Sequence, residues 1–155
     1  MTDIEETSRT TNRISMHEIV MPIYKSLTFG QVSEETGKEN SNREHSPFST
    51  YRDLFLLAAC YGFCHRRGMR QPLPEGKKNN IRTEVFGDEG LGILKAIAIA
   101  ETGDVEVLNN MGEVLTIAEE YAYIGVYEIK TQLIDERGQP LWNLVDLLNT
   151  MPDLV

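Results

Sequence analysis

The most apolar stretch of the chain lies near its middle and predicts a buried helix. Eight apolar residues follow one another from Leu54 to Tyr61, a length that suits a short buried strand as well as a helix. Thr50 and Asp53 have the spacing of a capping box, with Asp in place of the usual Glu. We therefore predict a central helix from Ser49 to about Arg67. Other elements must enclose this helix, because it is apolar on all sides.

Three patterns in the second half of the chain predict further helices. Residues 91–100 are apolar on nearly every side, and Gly103 predicts the end of this second buried helix. A turn and a short helical segment then run through residue 108. The clearest amphipathic pattern extends from residue 112 to about residue 134. A last helix begins near Pro140, and its predicted buried side carries Leu141, Leu144, Val145 and Leu148.

The N-terminal part of the chain is less regular. Residues 1–12 are polar and predict a mobile tail. We predict a short strand over 13–15, followed by a helix over 16–27 that begins with a capping box of Ser15 and Glu18. Pro22 is the weak point of this helix, because an internal proline removes a hydrogen bond and usually bends the axis.

Two other segments predict irregular structure. Residues 30–46 hold no apolar side chain after Val32 and predict a flexible loop. A loop of this length suggests an insertion or a segment that orders on a partner. Residues 81–86 alternate imperfectly and predict a short strand or an extended anchor. Together the patterns predict a mostly α fold, a single compact helical domain over 13–155 of about five to six helices with at most one or two short strands.

Length and composition agree with one domain in the cytoplasm. The 155 residues are 41% hydrophobic, which is enough to form one core. We expect neither a membrane span nor a signal peptide, because no apolar run reaches about 18 residues and no charged-then-apolar leader is present. The two cysteines, Cys60 and Cys64, are one helical turn apart. We expect free, buried thiols in a reducing compartment.

A series of motifs carries a family resemblance. The chain contains, in order, FSTYRDLFLLAACYGF, PLPEG, IRTEVF, IAIAETGDVEVL and AEEYA. In the order and spacing of these motifs, over about residues 13–133, the chain resembles the DNA phosphorothioation-associated (Dnd system-associated) protein 4 family. The motifs are core and turn patterns without catalytic residues. The resemblance implies an accessory role in modification-linked phage defence, with other proteins of that system as partners, and it implies no known activity.

The net charge of −9 is unevenly distributed along the chain. Residues 1–63 carry 6 basic and 9 acidic side chains, residues 64–82 carry 6 and 1, and residues 83–155 carry 3 and 14. A protein that grips DNA along its whole surface is excluded, because phosphate contacts supply most nucleic-acid affinity. Any DNA contact must be local to the basic segment. The acidic C-terminal half favours a protein partner with a basic surface.

The basic segment is the best candidate for a binding site. Its cationic side chains can neutralise phosphates, and an arginine can hold a phosphate through two hydrogen bonds. The alternative is that Arg66 and Arg67 compensate the helix dipole, while the others pair with the acidic C-terminal half. The candidate residues for contact with nucleic acid or a partner are His65, Arg66, Arg67, Arg70, Lys77, Lys78 and Arg82.

Other chemistries find less support in the sequence. The order of a strand and two helices over 13–63 is that of ribbon-helix-helix DNA-binding regulators, which are dimers, but the long insertion at 30–46 argues against that fold. Cys60, Cys64 and His65 lack the fourth ligand of a structural zinc site. Glu119 and Glu120 point apart on a helix, so we expect a solvated surface rather than the metal site of a nuclease. We therefore expect no catalytic residue, metal or cofactor, and we predict an accessory, non-enzymatic protein.

Overall fold

The computed structural model describes residues 9–34 and 36–150. This part of the chain contains five α-helices and one two-stranded sheet, so the predicted mostly α fold class is confirmed. The elements are β1 (Arg13–His17), α1 (Met21–Leu27), α2 (Tyr51–His65), β2 (Lys78–Arg82), α3 (Gly87–Thr102), α4 (Met111–Leu133) and α5 (Pro140–Thr150). Short 3-10 turns occupy Glu18–Val20, Thr83–Phe86 and Val105–Asn109. None of the helices described is long and apolar enough to cross a lipid bilayer.

Helices α2 and α4 form the centre of the fold. The α2 helix begins as predicted, because the hydroxyl of Thr50 accepts a hydrogen bond of 3.2 Å from the Asp53 backbone amide. Two glycines let the helices touch, since a Cβ on Gly62 would collide with the Tyr121 carbonyl and one on Gly125 with the Ala58 carbonyl. The fully buried residues of α2 are Leu54, Phe55, Ala58 and Ala59. Enclosure of α2 is incomplete, because one side of the helix is only half-buried.

The N-terminal elements differ from the prediction. Strand β1 continues to His17, because it pairs antiparallel with β2 over its whole length. The predicted capping box at Ser15 is therefore wrong. The chain turns instead at His17, whose Nδ1 accepts a hydrogen bond from the Ile19 amide at 3.1 Å. Pro22 then lies in the first turn of α1, where the missing amide hydrogen costs nothing.

The predicted strand over 81–86, the loop over 30–46 and the N-terminal tail also differ in detail from the prediction. The predicted strand over 81–86 begins earlier, at Lys78, and ends at Arg82. The loop over 30–46 has no helix or strand in its described residues but is anchored, since the Asn40 amide group donates to the Lys25 carbonyl at 2.6 Å. Residues 1–8 of the predicted tail lie outside the described residues. The next four join the fold, because the Asn12 carbonyl accepts from the Thr83 amide at 3.0 Å.

Helix α5 packs on the end of α4 by a small part of its surface. The side-chain amide of Asn143 donates to the Leu133 carbonyl at 3.0 Å. Leu144 and Leu147 are partly buried against the core, and no residue of the helix is fully buried. Val145 and Leu148 were predicted to be buried but are 39% and 51% exposed. The helix is amphipathic as predicted, but the fold covers only part of its apolar face.

Candidate functional site

The basic segment leaves the C-terminus of α2, and its first two arginines bond within the fold. Arg66 donates to the Glu128 carboxylate on α4, with 2.8 Å between Nε and Oε1. The guanidinium of Arg67 donates to the Ala100 carbonyl at 2.7 Å and lies over the Phe63 ring, 4.9 Å from its centroid. These contacts tie the end of α2 to α3 and α4. They agree with the alternative that the arginines serve the folded structure.

Arg70 is the centre of a half-buried network. It donates to Glu101 on α3 and to Glu120 on α4, at 2.6 Å in each case. The Tyr121 hydroxyl donates to Glu101 at 2.8 Å and accepts from the Gly68 amide at 3.0 Å. Burial is the largest single effect on Glu101 and would raise its pKa. The hydrogen bonds from Arg70 and Tyr121, together with the positive charges of Arg70 and Arg67, outweigh burial and lower that pKa. Burial raises the pKa of Tyr121.

Glu119 and Glu120 are not a solvated surface, contrary to the prediction. Their residues are only 6% and 8% exposed, and each carboxylate is paired with an arginine from a different part of the chain. Glu119 accepts from Arg9 at 3.0 Å and also from the Ser15 amide. Because a buried charge requires a partner, the two glutamates hold Arg9 and the segment after α2 against α4. In the described residues, no three His, Cys, Asp or Glu side chains come together as metal ligands.

The rest of the basic segment lies at the surface. His65 is exposed and stacks on Tyr61, with 4.1 Å between the ring centroids. Lys78, the first residue of β2, and Lys77 immediately before it are exposed. Arg82, at the end of β2, lies 3.5 Å from Glu84, and both side chains are 74% exposed. An ion pair this exposed contributes little, so Arg82 stays available to a binding partner.

The structure adds Arg13 to the candidate residues. Arg13 on β1 is the direct partner of Arg82 on β2, and both residues are exposed. The Ser15 amide bonds to Glu119 and not to β2, so Ser15 and its partner Asn80 are a non-hydrogen-bonded pair. Pair types alternate along an antiparallel ladder, so Arg13 and Arg82, two residues along, are also a non-hydrogen-bonded pair. In such pairs the side chains lie closest and on the same face. The sequence alone could not identify Arg13, because its position depends on the register of a strand 65 residues away.

The α5 surface is a second candidate, and we define it by Trp142, Val145 and Leu148. These residues are 56%, 39% and 51% exposed, and their spacing places them on one side of the helix. The indole Nε1 of Trp142 donates to the Glu44 carboxylate at 3.1 Å. Further acidic side chains on this part of the chain are Asp135, Glu136 and Asp146.

The cysteines differ in exposure. Both are free thiols, and Cys60 is half-buried whereas Cys64 is exposed. The prediction that both are buried is therefore wrong for Cys64. Burial, together with the neighbouring Cys64 thiol, raises the pKa of Cys60. A raised pKa keeps Cys60 in its unreactive thiol form.

Comparison with known proteins assigns most of the chain to a family. Residues 33–153 match the family model of DNA sulphur modification system-associated protein 4. The matched region begins after α1 and includes α2, β2, α3, α4 and α5. It confirms the resemblance carried by the sequence motifs. The chain shows no significant similarity to any curated protein or solved structure.

Proposed function

Since the chain belongs to the DNA sulphur modification system-associated protein 4 family, we propose that it is an accessory protein of such a system in phage defence. It catalyses no reaction itself and acts in the cytoplasm by binding another protein of the system. The α5 surface is the observation that carries this proposal. Val145 and Leu148 belong to the apolar side of the last helix that the sequence predicted to be buried, and this fold leaves them exposed together with Trp142.

The exposed residues of the α5 surface are of the kind that dominates binding between proteins. Tryptophan is enriched among the residues that contribute most to interfaces, and Trp142 is oriented by its hydrogen bond to Glu44. Leu144 and Leu147, which lie next to this surface around the helix, hold α5 on the core. A partner can therefore bind α5 without unfolding it from the rest of the protein.

The charges near α5 indicate the chemistry of the partner. Glu44 lies beside Trp142, and Asp146 lies on the helix itself. Such acidic side chains favour a partner whose apolar contact surface is bordered by Lys or Arg, because complementary charges steer association and select partners. This agrees with the acidic balance of the whole C-terminal half.

Two other functions fit the geometry less well. In a ribbon-helix-helix regulator the strand pairs with its copy in a second subunit, whereas β1 pairs with β2 of the same chain. A metal-dependent nuclease needs free carboxylates, whereas Glu101, Glu119 and Glu120 each bind an arginine. The accessory role is therefore the better proposal.

Purification of a tagged copy from its native operon tests the proposal. We expect another protein of the same system to co-purify in stoichiometric amount. The variant Val145→Asp/Leu148→Asp should lose this partner, because it places two charges in the α5 surface. The control Ala96→Asp/Thr131→Asp adds the same charge at exposed positions of α3 and α4 and should keep the partner. Circular dichroism establishes that both variants are folded.

Three results would contradict the proposal. The first is purification without any partner from the operon. The second is a partner that binds the α5 variant as well as the wild type, which would place the interface elsewhere. Sequence-specific binding to the operator of the operon would favour the regulator instead.

A further inference from the structure

The sheet carries an exposed group of cations. Among the described residues, only Arg82 of this group forms an ion pair, the 3.5 Å pair with the equally exposed Glu84, which contributes little. We define the cationic ribbon by Arg13 on β1, Lys78 and Arg82 on β2, and Lys77, the residue immediately before β2. All four residues are exposed. Arg13 and Arg82 are direct cross-strand partners, and Lys78 lies on the same face of β2 as Arg82 because it is four residues away in the strand.

The facing arginines are unfavourable in the isolated protein. Like charges directly opposite each other in an antiparallel pair are destabilising, and this pair is of the non-hydrogen-bonded type in which side chains lie closest. Two other arginines differ from this pair, since Arg9 and Arg70 each form an ion pair with a buried glutamate. An anion held between Arg13 and Arg82 would remove the repulsion and use both guanidinium groups.

The need to keep an exposed sheet edge from pairing with other chains does not explain all four cations of the ribbon. Charged residues on an exposed edge strand prevent pairing with other chains, which would explain Lys78 and Arg82 on β2. Arg13 lies on β1, whose free edge is already covered because the Ser15 amide bonds to Glu119 on α4. A cation at this position therefore needs another explanation.

We propose that the cationic ribbon binds the phosphate backbone of duplex DNA, with Arg13 and Arg82 as the central contacts. A two-stranded ribbon fits the major groove, and arginine is the side chain best suited to hold a phosphate through two hydrogen bonds. Asn80 lies between Lys78 and Arg82 on the same face, and its Oδ1 accepts from the Ser15 hydroxyl at 3.0 Å. This contact across the sheet occupies the carbonyl oxygen of Asn80 and leaves its amide hydrogens as donors.

The acidic body of the protein restricts this contact to the ribbon. With a net charge of −9, the surface beyond the ribbon repels DNA, so at most four phosphates are neutralised. Counterion release then gives a plot of log affinity against log salt concentration with a slope of about −3 to −4. A protein that wrapped DNA would show a much steeper slope. This site differs from the α5 surface, so it can be tested independently of the proposed protein partner.

Fluorescence anisotropy with a labelled DNA duplex, measured over a range of salt concentrations, tests the proposal. The variant Arg13→Gln/Arg82→Gln should bind about 10- to 100-fold more weakly near 0.1 M salt, with a slope smaller in magnitude by about 2. The control Arg66→Gln/Arg67→Gln removes the same charge from side chains that already bond within the fold. It should change affinity less than about threefold, because no phosphate contact is lost.

Each outcome of this experiment supports or contradicts DNA binding by the cationic ribbon. No binding of duplex DNA by the wild type at low salt would overturn the proposal, and so would equal binding by the ribbon variant and the wild type. Binding of poly-glutamate in place of DNA would assign the ribbon to an acidic protein instead. The α5 variant Val145→Asp/Leu148→Asp should bind DNA like the wild type. Loss of the protein partner and loss of DNA binding are therefore distinguishable.

Discussion

Replacement of Gly125 by alanine should force α2 and α4 apart at the point where their backbones touch. A Cβ at this position would lie 2.7 Å from the Ala58 carbonyl carbon and 2.9 Å from the Gly62 amide nitrogen, and closer still to the Ala58 carbonyl oxygen. All these atoms belong to the backbone, so no side-chain rotation can relieve the clash. The helices must separate, which loosens the packing of the central pair.

The expected loss of stability follows from two opposing effects. Overpacking of a tight core costs about 3 kcal/mol. Alanine gains about 1 kcal/mol over glycine in the interior of a helix. The net loss in the free energy of unfolding is therefore about 2 kcal/mol. For a chain of this size, that lowers the Tm by about 4–8 °C.

Gly92 provides a matched control on α3. It is exposed, and a Cβ there would meet nothing within 4 Å. Gly92→Ala should therefore stabilise the protein by up to about 1 kcal/mol, through helix propensity alone. Thermal and urea unfolding followed by circular dichroism measure both variants. If Gly125→Ala is as stable as the wild type while Gly92→Ala is stabilised, the close contact of α2 and α4 is not present in solution.

Three further predictions concern the capping residue, the half-buried network and the thiols. Thr50→Ala should lower the free energy of unfolding by about 1 kcal/mol in urea titrations, and an unchanged midpoint would contradict the cap. The folded-state pKa of Glu101 is lowered, so its contribution is present above the unfolded carboxyl pKa of about 4.3 and is lost as the pH falls through the folded pKa. Arg70→Gln should be less stable at pH 7 and should lose less stability than the wild type on acidification; parallel pH curves would contradict the network. Cys64 should react with a thiol reagent in the native protein well before Cys60, and equal rates would show that α2 is not packed as described.

The hydrophobic pattern was enough to predict most of the helices. A continuous apolar run, a threonine cap and a terminal glycine are local signals. The α2 helix begins after the cap at Thr50, and α3 ends before Gly103. At Gly103, for example, the backbone has φ 70°, a left-handed conformation that suits glycine at a helix end. The prediction failed at Ser15 because a capping pattern competes with strand pairing, and β2 supplied the pairing.

The charged residues were harder to predict, because their state depends on contacts between distant segments. The sequence shows a basic segment and an acidic C-terminal half, and it raised pairing between them as an alternative. It could not identify the pairs, since Arg70 meets Glu101 and Glu120 only after α3 and α4 pack together. A helical wheel also places Glu119 and Glu120 outside, because it cannot include arginines that arrive from other segments.

The sequence alone thus determines the approximate extents of the helices, because helix signals depend on neighbours within a few positions. The number of these helices indicates the fold class, and the order and spacing of the motifs indicate the family. Strand register and helix packing determine which charges are neutralised and which remain exposed. The pairing of Arg13 with Arg82 and the uncovered α5 surface both belong to this second group. The first depends on the register of two strands that are distant in sequence, and the second on how much of α5 the other elements cover. Both properties exist only once the chain has folded.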